Sequence, residues 1–145
     1  MSIKKEVVHA FLFMSLLIVA VGILGGAYLI AFHENPAAVI YNNPMPTDKL
    51  VYSRGDTIYF TIQYCRYTTV PTTTYISFVN FLIYDVPPRT FQGGPAGCGT
   101  VRGGVVVIPD NLPPGKYHLI GKNKYDVNFL VSRYTNWHTA EFEIK

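Results

Sequence analysis

Side chains able to carry chemistry are few in this 145-residue chain, and they are scattered. A hydrolase needs a nucleophile, a base and an orienting acid beside an oxyanion site. The histidines are His9, His33, His118 and His138. His9 and His33 flank a long apolar run, His118 alternates with Tyr117 and Leu119 as a solvent-facing strand residue would, and His138 follows Trp137. No pair has metal-ligand spacing, and the Cys-His-Met cluster of a copper site is absent near Cys65 and Cys98. Glu141 and Glu143 fall on one strand face, the ordinary pattern of a solvated side. Gly93-Gly94 and Gly103-Gly104 are not followed by a helical pattern, which argues against a phosphate cradle. The expectation is a non-enzyme with no catalytic, cofactor-binding or metal-binding residue.

Cys65 and Cys98 lie 33 residues apart, Cys65 near the end of an alternating strand and Cys98 in the glycine-rich stretch FQGGPAGCGTVRGG, read as a loop. In an exported domain two cysteines with no third partner most simply form a disulfide; two free thiols or a metal pair are the alternatives. Arg54-Gly55-Asp56 is the tripeptide that integrins recognise, but its structural reading is a turn between two strands, and that reading is preferred. No N-x-Ser/Thr glycosylation acceptor occurs.

The elements that would position these residues are of two kinds. Only 14% of residues are charged, 49% are hydrophobic and the net charge is +3, which argues against a disordered chain and against a nucleic-acid binder. Ala10 to Phe32 contains no charge over 23 residues. As a helix it would extend roughly 34 Å, enough to cross the ~30 Å hydrocarbon core of a bilayer. A cleavable signal peptide competes, although its apolar region is usually about 7–15 residues. Lys4 and Lys5 precede the run, so the positive-inside rule keeps residues 1–9 cytoplasmic and exports the C-terminal part, periplasmic or extracellular, from an inner or plasma membrane. Ser15, Gly22 and Gly26 share one helix face where a second helix could pack.

Residues 33–48 hold Pro36, Pro44 and Pro46 and read as an extended stalk. From 49 to 145 the period becomes two. Asp56–Thr68 and Thr74–Val86 read as long strands, with shorter ones at 50–52, 105–108, 117–120, 127–131 and 139–144. Turn chemistry separates them at Pro87-Pro88, Pro109-Asp110-Asn111 and Pro113-Pro114-Gly115. Seven strands of this kind predict an all-β antiparallel sandwich behind a single transmembrane helix.

The stretch VYSRGDTIYF, with Val51, Tyr52, Gly55 and Asp56, resembles the V-Y-x-x-G-D-x-V start of a strand in many extracellular immunoglobulin-like (Ig-like) and macroglobulin-type domains. Leu112 to Tyr117, LPPGKY, is similar to their L-P-x-G-x-Y hairpin. The resemblance implies an Ig-like sandwich built for adhesion or scaffolding and carries over no catalytic residue. The core Trp and the Cys spacing usual in that family are missing, for Trp137 lies just before the last strand.

Three regions are candidate contacts: the threonine run Thr68–Thr74, the tethered glycine loop, and the aromatic group Tyr125, Phe129, Tyr134 and Trp137. The chain is therefore expected to be a membrane-anchored accessory subunit contacting other membrane subunits, as a homo- or hetero-oligomer in the lipid bilayer. A glycan- or ligand-binding sensor, a phage-encoded lysis or superinfection protein, and a component of a membrane-containing virion are the alternatives.

Overall fold

The computed structural model describes residues 3–32, 36–127 and 131–145. They form two compact units, divided after Asn35. The first is a single helix, α1 (Ile3–Phe32), which begins earlier than the apolar run alone predicts. Lys4, Lys5 and Glu6 continue the helix because nothing before Phe32 breaks it: the segment has no proline. Within it Glu6–Tyr28 is long and apolar enough to cross a membrane. Apolar side chains cover every side of α1, so a core-facing stripe is absent.

Among the described residues the second unit holds nine strands: β1 (Ala38–Ile40), β2 (Val51–Tyr52), β3 (Thr57–Arg66), β4 (Thr72–Val79), β5 (Ile83–Phe91), β6 (Gly97–Val107), β7 (Gly115–Asp126), β8 (Ser132–His138) and β9 (Phe142–Ile144). They build two sheets in a loosely sandwich-like arrangement. One has the order β1-β3-β6; the other runs β2-β9-β7-β4-β5, with β8 also on β7. Pairing is antiparallel except that β2 lies parallel to β9, which corrects the wholly antiparallel expectation.

The stalk reading is also corrected over residues 36–48; residues 33–35 lie outside the described residues. The unit starts at Pro36, and Ala37, Ala38 and Met45 are buried in it. Extended backbone beside proline is suited to sheet pairing, and here it is paired. β1 lies on β3, then Met45 N–H donates to His138 O and Met45 O accepts from Ala140 N–H, so the chain crosses to the second sheet. Asp48 N–H then donates to Tyr59 O on the first sheet. The Asn42 side chain bonds both Thr61 O and Gln63 N–H, and Asn43 Oδ1 accepts from His138 N–H. These side chains tie the segment to β3 and to the end of β8.

Five expectations about strands, turns and loops change. The 74–86 stretch is a hairpin rather than one strand, turned at Asn80, whose Oδ1 accepts from Leu82 N–H. Pro87 and Pro88, expected to be a turn, sit inside β5; β5 is an edge strand, where a missing N–H leaves no ladder partner unsatisfied. They form a bulge opposite Tyr75, because Thr74 pairs with Arg89 and Ile76 with Val86. The glycine-rich stretch around Cys98 is strand β6, held along β3 by pairing from Thr57↔Val107 to Arg66↔Gly97. The 139–144 strand is broken. β8 pairs Ile120↔His138 and β9 pairs Tyr117↔Phe142, so one extra residue intervenes. Thr139 heals the break, its Oγ1 accepting from the buried Leu119 N–H. β7 runs from Gly115 to Asp126, longer than the 117–120 reading; much of the expected 127–131 strand lies outside the described residues.

The core lies between the sheets at the end holding Tyr52 and Tyr117. Ile58, Phe60, Val106 and Ile108 from the first sheet meet Phe78, Leu119, Phe142 and Ile144 from the second, all buried. Phe78 contacts Tyr117 and Phe142 edge-on, with ring centroids 6.4 Å apart in both pairs.

Candidate functional site

Toward the other end the sheets leave a cleft of about 270 Å³ between them. On β3 the inward parity is Ile58, Phe60, Ile62, Tyr64 and Arg66, as the alternation predicts. Their partners on β6 share that face: Val101 opposite Ile62, Gly99 opposite Tyr64, Gly97 opposite Arg66. Two of these three inward positions are therefore glycine. A Cβ placed on either Gly97 or Gly99 would meet nothing within 4 Å. Both glycines therefore leave open space on the inward side of β6, next to Val101, which lines the cleft.

The floor of the cleft is apolar: Phe60, Ile62, Ile76, Val101, Val106 and Trp137. Trp137 packs on Phe60 at 5.1 Å between centroids, and its Nε1–H donates to Asn123 Oδ1 at 3.2 Å. The Thr74 hydroxyl donates to the same oxygen at 2.9 Å. At the rim stand Arg66 and Arg89, and among the described residues the lining includes no Asp or Glu. Arg66 Nε donates to Thr68 O, Nη2 donates to Val70 O, and the guanidinium lies 5.8 Å from the Tyr125 ring centroid. Burial pushes the Tyr125 phenol above its ordinary range; the Asn123 side chain and the Arg66 charge pull the other way. Phe91 and Val101 are exposed on the open side, between β5 and β6.

A second apolar surface is the tip of the β4–β5 hairpin. Phe81, Leu82 and Ile83 are exposed there, Phe81 fully. The tip is not among the contacts expected from sequence, whereas the cleft draws Thr72 and Thr74 from the threonine run, Val101 from the glycine-rich stretch, and Tyr125 and Trp137 from the aromatic group.

Of the aromatic group, Trp137 and Tyr125 are buried in the chain's own core rather than displayed. The physical reason is the β7–β8 register: Trp137 is opposite Gly121, whose missing side chain lets the indole lie inward. Tyr134 is half exposed, with Lys122 Nζ 4.1 Å from its ring centroid. Phe129 lies outside the described residues. In the threonine run, Thr72 is buried at the start of β4 and only Thr68 and Thr69 precede it as loop.

Cys65 and Cys98 are directly opposite on β3 and β6 and form a disulfide on the outward face. The bond ties β6, the strand at the open side, to β3. Ser15, Gly22 and Gly26 lie on α1, with open space around both glycines and Ser15 Oγ donating to Leu12 O. The Arg54-Gly55-Asp56 turn is engaged internally: Gly55 has φ 80°, Arg54 Nε donates to Leu112 O, and Asp56 Oδ2 accepts from Ser53 N–H. His118 lies on β7 and His138 ends β8; among the described residues no three His, Cys, Asp or Glu gather as metal ligands.

No family model matches the chain, and no curated protein does. Among solved structures, the Pseudomonas fluorescens alkylpurine DNA glycosylase AlkC, bound to DNA containing an abasic site analog, is similar at a TM-score of 0.38 and 14% identity. That alignment covers 81% of this chain and 33% of the glycosylase. The sporulation control protein Spo0M from Bacillus subtilis is similar at a TM-score of 0.35 and 12% identity, covering 77% of this chain and 50% of Spo0M. The chain thus spans half or less of either protein, and likenesses this weak carry no argument about what it does.

Proposed function

We propose that the chain is a non-catalytic, membrane-anchored accessory subunit whose β unit lies on the exported side and contacts a larger membrane or envelope assembly. The observation that carries this reading is that the β unit leaves apolar side chains in water at two separate places, the cleft and the Phe81–Ile83 tip. A free-standing domain has little reason to keep either, because burying apolar area yields about 25 cal/mol per Å². The helix supplies the anchor. Lys4 and Lys5 favour a cytoplasmic N-terminus, and the Cys65–Cys98 disulfide suits an oxidising compartment. An immunoglobulin-like domain fits the crossing pattern, with β1 on β3 and then Met45 and β2 on the β8–β9 side.

Gentle detergent extraction tests the proposal. The chain is expected to migrate as a stoichiometric member of a larger particle; recovery only as free monomer overturns it. Protease added outside intact cells should digest the β unit, and an intact β unit would reverse the orientation.

A second reading is a sensor domain that takes an apolar anion in the cleft. Arg66 and Arg89 over an apolar floor favour it. The volume of about 270 Å³ falls just below the usual range of ligand pockets, ~300 to 1,000 Å³.

A further inference from the structure

We propose that the occupant of the cleft is an extended segment of a partner subunit, added as a strand to the free edge of β6. The inference rests on the accessory-subunit reading and names the contact that reading requires. Gln63 uses both backbone groups on its β1 side: its O accepts from Tyr41 N–H and its N–H donates to Asn42 Oδ1. In an antiparallel ladder its β6 partner Thr100 therefore turns N–H and C=O away from β3. The same alternation turns Cys98 and Arg102 outward. Among the described residues no strand pairs with that side, and every residue from Gly97 to Arg102 is exposed. Such an edge is a template for another chain.

Across the cleft the facing edge, β5, carries Pro87 and Pro88 and lacks their donors, so β6 is the edge able to accept a strand. Residues of the added strand opposite Gly97, Gly99 and Val101 would point into the cleft, where the two glycines leave room. Apolar residues at every second position fit that floor. An acidic residue at the Arg66 end fits the rim, whose lining holds no carboxylate among the described residues. A second copy of β6 is the wrong partner. Between Gly97 and Val107 this strand carries Arg102 and no acidic residue, so a second copy brings no carboxylate to Arg66.

Two variants of the full chain test this in its native membrane. Gly99→Phe fills the cleft from a position with open space, and Thr100→Pro removes an outward N–H without removing a β3 bond. Disulfide formation and far-UV circular dichroism report folding. Wild type is expected to co-extract with its assembly and each folded variant to do so at least tenfold less. A photo-crosslinker at Val101 should then map to partner residues two apart. If the folded variants co-extract as well as wild type, the strand proposal falls and the accessory reading stands; if wild type itself extracts as a monomer, both fall. Laurate is the probe for the amphiphile alternative. If it changes the fluorescence of Trp137 in the purified chain, and Gly99→Phe abolishes that response while leaving co-extraction intact, the strand proposal is overturned.

Discussion

Trp137 lies against Gly121, its direct partner across the β7–β8 pair, so closely that a Cβ on residue 121 would overlap the indole ring. The indole must lie low on the sheet to reach both Phe60 across the core and Asn123 on β7. Glycine at 121 is therefore a packing requirement of Trp137, not a turn signal.

Gly121→Ala should accordingly displace the indole and destabilise the β unit by about 1–3 kcal/mol, the usual range for overpacking. Trp137→Ala should cost about 3–5 kcal/mol through the cavity left behind. Urea unfolding followed by far-UV circular dichroism measures both. In the Gly121→Ala, Trp137→Ala double variant the clash is gone, so the two losses should be strongly non-additive. Additive losses would refute the steric account.

The Cys65–Cys98 bond closes a loop with a sequence separation of 33. Replacing both cysteines by alanine should lower stability by about 3–4 kcal/mol on the chain-entropy account. The β3–β6 ladder lies alongside the bond, so the fold should persist with a lower melting temperature. A melting curve unchanged by the double substitution or by reductant would contradict that contribution.

Thr139 Oγ1 accepts the Leu119 N–H at 2.9 Å where the β8–β9 strand breaks, and Thr139 is 2% exposed. Thr139→Val keeps the shape and orphans a buried donor, for an expected loss of about 1–3 kcal/mol. Thr139→Ser should recover most of it. Equal losses in the two variants would mean that the methyl group, not the hydroxyl, matters.

The Tyr52 hydroxyl donates to Asp48 Oδ1 at 2.7 Å and accepts from Lys49 N–H, and burial together with the Asp48 bond pushes its pKa up to about 12. The unfolded chain, ionising near 10.0, loses its phenolic proton first. Stability from this group is thus complete below pH 10 and declines as pH rises toward about 12. Asp48 acts at the acid end. Partial burial raises its carboxyl, but the bonds from Tyr52 and the Tyr59 N–H outweigh that and hold it below its ordinary value of 3.8. Its contribution is present above 3.8 and fades as pH falls through the lowered value. Tyr52→Phe should flatten the alkaline limb of melting temperature against pH. An alkaline limb of unchanged steepness would count against the assignment.

Leu17 sits midway along the Glu6–Tyr28 stretch, so Leu17→Arg places a charge at the centre of the proposed span. An insertion penalty of about 2.5–3.5 kcal/mol should release the chain into the supernatant on alkaline carbonate washing. Retention equal to wild type would argue against a spanning helix.

The N-terminal helix and the inward parity of β3 are legible in the residues alone, because each follows from a local rule: an uncharged run must satisfy its own backbone, and a strand alternates its faces. The cysteine pairing was legible too, since only one partner exists. The cleft was not. Gly97 and Gly99 look like loop glycines until register places them opposite Arg66 and Tyr64, two residues that line the cleft. Pro36, Pro44 and Pro46 look like a stalk until Asn42, Asn43 and Met45 find partners on β3 and on β8 and its extension, far along the chain. Trp137 looks like a surface aromatic until Gly121 comes beside it. Which residues face one another across a sheet, or between two sheets, depends on pairings distant in sequence. A one-residue change in register would have turned Gly97 and Gly99 outward and put Cys98 in their place.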